Sequence, residues 1–372
     1  MLEDRELGAG RYSWGQTPGR VRFGRLPHAR SLRGRCCGSV APMKVGVRLV
    51  QYLGSPREVV ALAVAAEQAG VDEVWVPHDP FMSHAWTIQT AIAEATERVV
   101  VGSLGTNTYT IDPSEIAAHL ATLDLLSQGR AALGLGLHTT SMVEWIGIDA
   151  TDVVARTRAA VSIVRALLRG ETVEQDRPYR WGPECSLRFE SLRAEVPIYV
   201  AGFGRELLAL AGEIGDGAMP MATPPESVAA LASDVRNGAT NAGRDPDTAE
   251  IVACAWLSLS EDGSGTEEPL RPMIATFGPY LEERALSSIG LSRTDFANLR
   301  RLVGHGRLDD AAATVTSPMF GLALAGTPEQ VTARIAALAD VGVTQISLGG
   351  PLGPDPAEAI RLIGERVIPA LR

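Results

Sequence analysis

Short apolar runs alternate with longer amphipathic segments along the chain from residue 43 onward. The runs have the length of buried strands and predict eight of them, near residues 44–50, 72–77, 98–105, 130–136, 196–201, 216–220, 249–258 and 343–348. Helical segments between successive strands are typical of parallel β-α-β units. We therefore predict an α/β fold, a (β/α)8 TIM barrel with insertions. A doubly wound open sheet is the alternative, although no GxGxxG motif follows the first strand.

Three predicted helices begin with the same capping signal. The segments Ser55 to Glu58, Asp112 to Glu115 and Thr327 to Gln330 each place a cap residue before proline and an acid or amide three residues later. This is the pattern of a capping box with proline at the first helical position, in which the cap oxygen and the later side chain satisfy backbone N–H groups that lack helical partners. The three segments therefore mark helix starts.

Two stretches interrupt the alternation of strands and helices. Residues 172–190 contain Pro178, Trp181 and Phe189 and predict a small hairpin excursion. Residues 262–318 form a long insertion that is acidic and glycine-rich at first and then helical. An insertion of this length forms a lid over the active-site face or packs at a subunit interface. Residues 43–372 are otherwise expected to form a single barrel domain.

Composition limits the classes of partner. The 372 residues exceed the roughly 250 of a plain TIM barrel, which agrees with insertions. The formal net charge of -10 argues against a nucleic-acid partner, and no apolar run reaches the ~18 residues of a membrane span. The four cysteines show no metal-ligand spacing, so we expect no metal site and a reduced, cytoplasmic protein.

The first 42 residues differ in composition from the rest. They carry eight arginines, three acids and no lysine, and eight minus three leaves a net charge of +5. Glycine and proline interrupt the apolar residues, and the apolar stretch of a signal peptide is missing. We interpret residues 1–42 as a disordered basic arm, or as upstream sequence from a start assigned too early. A basic targeting arm is the alternative.

Five segments resemble, in order, those of one family. Val101–Thr110 is similar to its G-x-x-x-T-N-P-Y-T stretch, and Thr122–Gly136 to its T-L-D-E-L-S-x-G-R…L-G-L-G run; Pro197–Gly204, Leu210–Gly217 and Gly350–Asp355 also match. The family is that of the luciferase-like oxidoreductases, and the chain looks most like the methylenetetrahydromethanopterin reductase branch, which uses the deazaflavin coenzyme F-420. The resemblance implies a TIM barrel with the coenzyme at the carboxyl ends of its strands. It also implies a homo-oligomer, a dimer or a tetramer.

The resemblance implies a coenzyme site made of three segments. A bulge with a non-prolyl cis peptide would support the deazaflavin ring, and the two polar residues after it would hydrogen bond to the pyrimidine edge. The turn of residues 201–205 would bind the phosphodiester, because N–H groups at a helix start favour anions. Without the family, the same residues describe a strand that ends in an Asn turn and a tight turn before a helix. The implied coenzyme-binding residues are Leu104, Gly105, Thr106, Asn107, Gly136, Ala201, Gly202, Phe203, Gly204 and Arg205.

Four side chains are candidates for the chemistry at the substrate. His78 and Asp79 follow the second strand, where such a pair can donate or accept a proton near neutral pH; a structural pair is the alternative. His138 follows the fourth strand and would shape substrate access, act as an acid or contact the loop. Arg48 stands where the reductase branch has Glu, so it would favour an anionic substrate or hold a nearby acid in a salt bridge.

The predicted function is that of an oxidoreductase that transfers a hydride between F-420 and a small organic substrate. The protein would provide orientation, water exclusion and one proton. Because Arg48 departs from the reductase pattern, the specific methylenetetrahydromethanopterin reaction is disfavoured. An FMN-dependent monooxygenase on the same barrel is the first alternative, and a barrel that binds a flavin or deazaflavin without turnover is the second.

Overall fold

The computed structural model describes residues 43–136, 143, 145–221 and 224–372. The predicted basic arm of residues 1–42 lies outside these ranges. The strands of the described part are β1 (Lys44–Arg48), β2 (Glu73–Val76), β3 (Val100–Thr106), β4 (Ala131–Leu135), β5 (Val173–Gln175), β6 (Trp181–Cys185), β7 (Ile198–Ala201), β8 (Gly217–Met219), β9 (Glu250–Leu259), β10 (Ala323–Gly326) and β11 (Gln345–Leu352).

Eight of these strands form a closed parallel barrel in the order β1, β2, β3, β4, β7, β8, β9 and β11. β11 pairs with β1, where Arg48 lies opposite Gly349. The ring closes between β8 and β9, where Gly217 lies opposite Glu250. The predicted TIM barrel and its eight strands are confirmed. The open-sheet alternative is wrong, because the β8–β9 pairing joins the two ends of the sheet.

Two further features lie outside the barrel ring. β5 and β6 form the antiparallel hairpin that was predicted for residues 172–190. β10 was not predicted; it pairs in parallel with residues 256–259 of β9, beyond the point where β8 pairs. Its four residues, Ala-Leu-Ala-Gly, are too short to show a strand period, so only the tertiary pairing reveals it.

Helices follow the strands and cover the outside of the barrel. The α-helices of the described part are α1 (Pro56–Gln68), α2 (Ala85–Ala95), α3 (Pro113–Leu126), α4 (Val153–Leu168), α5 (Arg205–Ile214), α6 (Pro225–Asn241), α7 (Leu270–Phe277), α8 (Glu283–Ser288), α9 (Ala297–Gly304), α10 (Leu308–Ala313), α11 (Pro328–Asp340), α12 (Pro356–Leu362) and α13 (Ile368–Leu371). Among them, no helix has both the length and the apolar character needed to cross a membrane.

The three predicted helix starts are present, with one difference. Ser55 and Thr327 each form a complete capping box, at α1 and α11. Asp112 caps α3 by accepting a hydrogen bond from the Ser114 amide at 2.8 Å. The second bond of a capping box, in which the Glu115 side chain would accept from the Asp112 backbone N–H, is not made. The prediction of a full capping box at this helix was therefore wrong.

Side chains alternate between the two faces of each barrel strand. On β1, Val45 and Val47 point outward into an aliphatic core that β1 shares with the surrounding helices. Trp75 points inward and fills the barrel, where a Cβ at Gly102 would lie only 2.4 Å from its indole ring. Glycine at position 102 therefore makes room for this indole. By the same alternation, Arg48 faces the barrel interior.

The amino-terminal end of the barrel interior holds a connected polar layer. Lys44 Nζ lies 3.1 Å from Glu250 Oε1, and the Tyr199 hydroxyl donates to Glu250 Oε2 at 2.6 Å. Gln345 donates to the same carboxylate and to Tyr199. Glu73 accepts from the Trp75 indole N–H at 3.1 Å. Burial raises the pKa of Glu73 to about 7, although the charge of Lys44 opposes this shift.

We predict that Glu73→Gln flattens the pH dependence of stability. Because the folded pKa of about 7 exceeds the ordinary 4.5, the folded protein keeps a proton that the unfolded chain releases in this window. The free energy of unfolding should therefore fall as pH rises from 4.5 to 7, by on the order of 3 kcal/mol more in the wild type than in the variant. Urea unfolding at pH 5 and pH 8 measures this difference.

Glu94→Gln serves as the control, because Glu94 lies exposed on α2. Its pH dependence should match that of the wild type. If Glu73→Gln also kept the wild-type pH dependence, Glu73 would not carry the buried proton.

Candidate active site

The carboxyl ends of the barrel strands form the C-terminal rim, where barrel enzymes place their sites. Arg48 ends β1, the pair His78 and Asp79 follows β2, and the Leu104–Gly105 bond lies within β3. Gly136 follows β4, and residues 202–204 connect β7 to α5. The fold thus brings every described candidate residue to this rim. His138 lies outside the described residues.

The Leu104–Gly105 peptide bond is cis, as the family resemblance predicted. The β3–β4 register shifts between Ser103 and Thr106, which marks a bulge at this bond. Gly134 of β4 packs beneath it, and a Cβ there would lie 2.6 Å from the Ser103 carbonyl oxygen. The predicted bulge is therefore present and rests on a neighbouring strand that comes unusually close.

The two polar residues after the bulge are buried and partly committed to local bonds. Thr106 Oγ1 donates to Ser103 Oγ at 2.9 Å. Asn107 Oδ1 accepts from the backbone N–H groups of Tyr109 and Thr110, at 3.0 and 2.9 Å. The oxygen of Asn107 thus holds the turn, and its Nδ2 group is the part of the side chain that can donate to a ligand.

Glycines shape the strand ends beside the bulge. A Cβ at Gly136 would lie 1.7 Å from the Ala201 carbonyl oxygen, so only glycine allows this approach of β4 and β7. Gly202 and Gly204 follow, with φ of 144° and 93°, a region that favours glycine. Gly204 is the N-cap of α5 and provides no side-chain bond to the first helical turn. The amides of that turn are therefore free of side-chain caps, which suits an anion.

The charged and aromatic residues of this turn face the insertion and the solvent. Phe203 packs against the apolar cluster of the insertion, which also contains Trp256 from β9. The Arg205 side chain is 82% exposed, with Nε 3.5 Å from Asp234 Oδ1. Asp234 also binds Arg284 of the insertion at 2.6 Å. The start of α8 therefore lies beside the predicted phosphodiester turn, and Arg205 remains open to solvent.

His78 is buried in an aromatic cluster rather than paired with Asp79. Its ring centroid lies 5.1 Å from that of Trp86, which in turn stacks on His119 at 4.2 Å. Burial lowers the pKa of His78 to about 4, with a smaller contribution from His84. The imidazole is therefore neutral at neutral pH, and its buried Nδ1 has no partner among the described residues.

Asp79 is the group of this pair that titrates near neutral pH. Burial raises the pKa of its carboxyl group to about 6, against the opposing positive charge of Arg48. Sequence reasoning could not separate His78 from Asp79, because the difference lies in their surroundings.

Arg48 lies inside the rim and is 2% exposed. Its Nη2 donates to the Ala255 carbonyl oxygen at 3.4 Å, and its Nη1 lies 3.8 Å from Met221 Sδ. Gly349 makes room for the guanidinium, since a Cβ there would lie 2.3 Å from Arg48 Cζ. The salt bridge that was one expectation for Arg48 is not formed with any described residue.

Sequence reasoning missed two residues at the same rim. The hydroxyl of Tyr52, four residues after the end of β1 in the pattern Gln-Tyr-Leu, donates to Met273 Sδ at 2.7 Å. Met273 belongs to α7 of the insertion, so this contact joins the insertion to the β1 side of the rim. Tyr52 could have been noted from its place after a strand end, but Met273 carries no local signal. In the described part of the chain, no group of three or more His, Cys, Asp or Glu residues is arranged to hold a metal.

A closed parallel barrel with a bulge and a glycine turn at its C-terminal rim has the architecture of the TIM-barrel enzymes, whose active sites lie at that rim. The profile of the family described as luciferase-like monooxygenase matches residues 37–345, and the chain belongs to this family. The family prediction is confirmed.

Relatives of known function share most of the chain. The 5,10-methylenetetrahydromethanopterin reductase of Archaeoglobus fulgidus is 31% identical over 82% of this chain and 93% of its own length. The F-420-dependent glucose-6-phosphate dehydrogenase of Amycolatopsis mediterranei is 28% identical over 89% and 99%. The structure of the coenzyme F-420-dependent tetrahydromethanopterin reductase from Methanopyrus kandleri superposes with a TM-score of 0.83, at 26% identity, and covers 89% of this chain and 100% of that one.

We predict that Gly136→Ala destabilises the fold, because its methyl group would overlap the Ala201 carbonyl group. The free energy of unfolding in urea should fall by roughly 1–3 kcal/mol. Gly304→Ala, at the end of α9 where a Cβ meets no atom within 4 Å, is the matched control. It should change stability by less than about 1 kcal/mol. Equal effects of the two substitutions would contradict the close approach of β4 and β7.

Proposed function

We propose that this chain is an F-420-dependent oxidoreductase that transfers a hydride between the deazaflavin and a small organic substrate. The observation that carries the proposal is the bulge of β3 between Ser103 and Thr106 beside the uncapped glycine turn at the start of α5. Relatives named for F-420 chemistry align over most of the chain, which supports the same coenzyme here. A small-molecule substrate agrees with these relatives.

The residues at the rim fit this coenzyme. The bulge offers a flat backbone shelf for a ring, and Asn107 Nδ2 and Thr106 would meet the edge of that ring. The backbone N–H groups of Gly204 and of the first turn of α5 would hold the phosphodiester. When bound, F-420 supplies the carbon that gives or takes the hydride.

Asp79 is proposed to move the proton that accompanies the hydride. Its pKa of about 6 makes both protonation states available near neutral pH. His78 remains neutral, so it would act as a hydrogen-bonding or proton-accepting group through its unpartnered Nδ1. His138 keeps its proposed role in substrate access.

The insertion is proposed to act as a lid. Its apolar cluster covers the end of β9 at Trp256, and Met273 contacts Tyr52 on the β1 side of the rim. A covered rim keeps water away from the reacting carbon and strengthens charge interactions there. We also propose, from the family resemblance, that the chain acts in the cytoplasm as a homo-oligomer, a dimer or a tetramer.

The purified protein should bind F-420 with a micromolar dissociation constant in a calorimetric titration, and FMN more weakly. Gly204→Asp should weaken F-420 binding more than Gly204→Asn does, because the two variants differ in charge at the phosphodiester turn. No binding of F-420 or FMN stronger than about 1 mM would reject both flavin hypotheses. Oxygen consumption that depends on FMN and a substrate would favour the monooxygenase alternative.

Asp79→Asn should lower kcat by about 10²–10⁴-fold in a reduction by reduced F-420, since it removes the proton donor. The wild-type rate should fall as pH rises above about 6, because Asp79 then loses its proton. The variant should lose this pH dependence while its dissociation constant for F-420 stays unchanged. A wild-type pH profile in the variant would exclude Asp79 as the donor.

A cofactor that binds without redox change in a broad substrate panel would support the non-catalytic alternative.

A further inference from the structure

Arg48 is the only buried arginine among the described residues, and its hydrogen bonds are longer than those of the half-buried Arg130 and Arg193. A guanidinium has five N–H donors. In the described part of the chain, the partners of Arg48 are the Ala255 carbonyl oxygen at 3.4 Å, the Met221 thioether at 3.8 Å and the Cys254 thiol. Charge-assisted hydrogen bonds are normally ~2.7–2.9 Å long. The bonds to Ala255 and Met221 are therefore longer than such bonds, and none of the three partners carries a charge, since the raised pKa keeps the Cys254 thiol protonated.

Arg130 and Arg193 show how other guanidinium groups of this chain are satisfied by hydrogen bonds. Arg130 donates to the carbonyl oxygens of Ala93, Thr96 and Val99 at 2.9, 2.8 and 2.8 Å. Arg193 Nε donates to Asp124 Oδ2 at 2.9 Å, and its Nη2 bonds to the same carboxylate. Both of these half-buried guanidinium groups thus make several short hydrogen bonds, whereas the bonds of Arg48 to Ala255 and Met221 are longer.

The titratable groups around Arg48 do not neutralise it. Its positive charge acts to lower the pKa of three groups from separate segments of the chain, Tyr52, Asp79 and Cys254. Burial nevertheless outweighs that attraction and raises the pKa of Asp79 to about 6 and that of the Cys254 thiol to about 11. A carboxylate held in a tight ion pair with Arg48 would have a lowered pKa instead. Arg48 therefore lacks a committed counter-ion among the described residues.

A charge in this position is expensive unless an anion joins it. We propose that Arg48 binds an oxyanion of the substrate, a carboxylate or a phosphate group, inside the C-terminal rim. The planar guanidinium suits either group through paired N–H donors. The assignment of this anion to the substrate rests on the proposed function, whereas oxyanion binding at Arg48 does not.

Acetate and inorganic phosphate are the probes, titrated calorimetrically into the wild type with and without F-420. We expect at least one of them to bind, and the better probe identifies the oxyanion. Arg48→Met should weaken that binding by about tenfold or more, and Arg48→Lys by less, because lysine keeps the charge but not the paired donors. Arg361→Met, which removes the same charge from a half-exposed side chain, should leave binding unchanged.

Two further measurements distinguish oxyanion binding by Arg48 from a structural role. In buffer free of both probes, Arg48→Met should melt no lower than the wild type, since it removes an uncompensated charge. F-420 affinity should stay within about twofold, which is the limit of an indirect effect.

Several outcomes would overturn the inference. The inference fails if neither acetate nor phosphate binds to the wild type. It also fails if Arg48→Met loses affinity for F-420, because that result would place Arg48 in the coenzyme site. A third contrary result would be a marked destabilisation by Arg48→Met that is not additive with that of Asp79→Asn, since it would show a structural ion pair between the two residues. If Arg48→Met does not fold, Arg48→Lys still tests oxyanion binding. If the wild type binds a probe through Arg48 but does not bind F-420, the proposed function fails and oxyanion binding at Arg48 stands.

Discussion

The approach of β8 to β9 is the constraint on which the site depends. A Cβ at Gly217 would lie 2.2 Å from the Glu250 carbonyl oxygen, so glycine is required where the two strands meet. Their pairing closes the barrel and places the carboxyl ends of eight parallel strands on one rim. The bulge of β3, the turn after β7 and the end of β1 face a common space only because the ring is closed.

The charged side chains at the two ends of the barrel interior differ in whether they have partners of opposite charge. At the amino-terminal end, Lys44, Glu250 and Tyr199 form a connected layer in which each charged group has a partner. At the C-terminal rim, Arg48 is buried and Asp79 is half-buried, and the two share no ion pair. A satisfied layer supports stability, whereas unsatisfied groups at a rim are suited to a ligand.

Local chemistry explains which parts of the fold could be predicted. The eight barrel strands are aliphatic runs between turn signals, and the caps at Ser55 and Thr327 involve residues three positions apart, so both are visible in the sequence. The full box at Asp112 was not formed, although the residue pattern is similar. β10 was missed because its pairing with β9 joins residues more than sixty positions apart, and its own four residues show no period.

The sequence by itself determined which residue types stand at the strand ends, and its family motifs indicated the cis bulge and the glycine turn before α5. The tertiary structure decided how those residues behave. It buried His78 and partly desolvated Asp79, so that of the two only Asp79 titrates near neutral pH. It also committed Asn107 Oδ1 to a turn and left Arg48 without a carboxylate partner. The physical reason is that burial and electrostatic neighbours come from segments far apart in the chain, which no local pattern encodes.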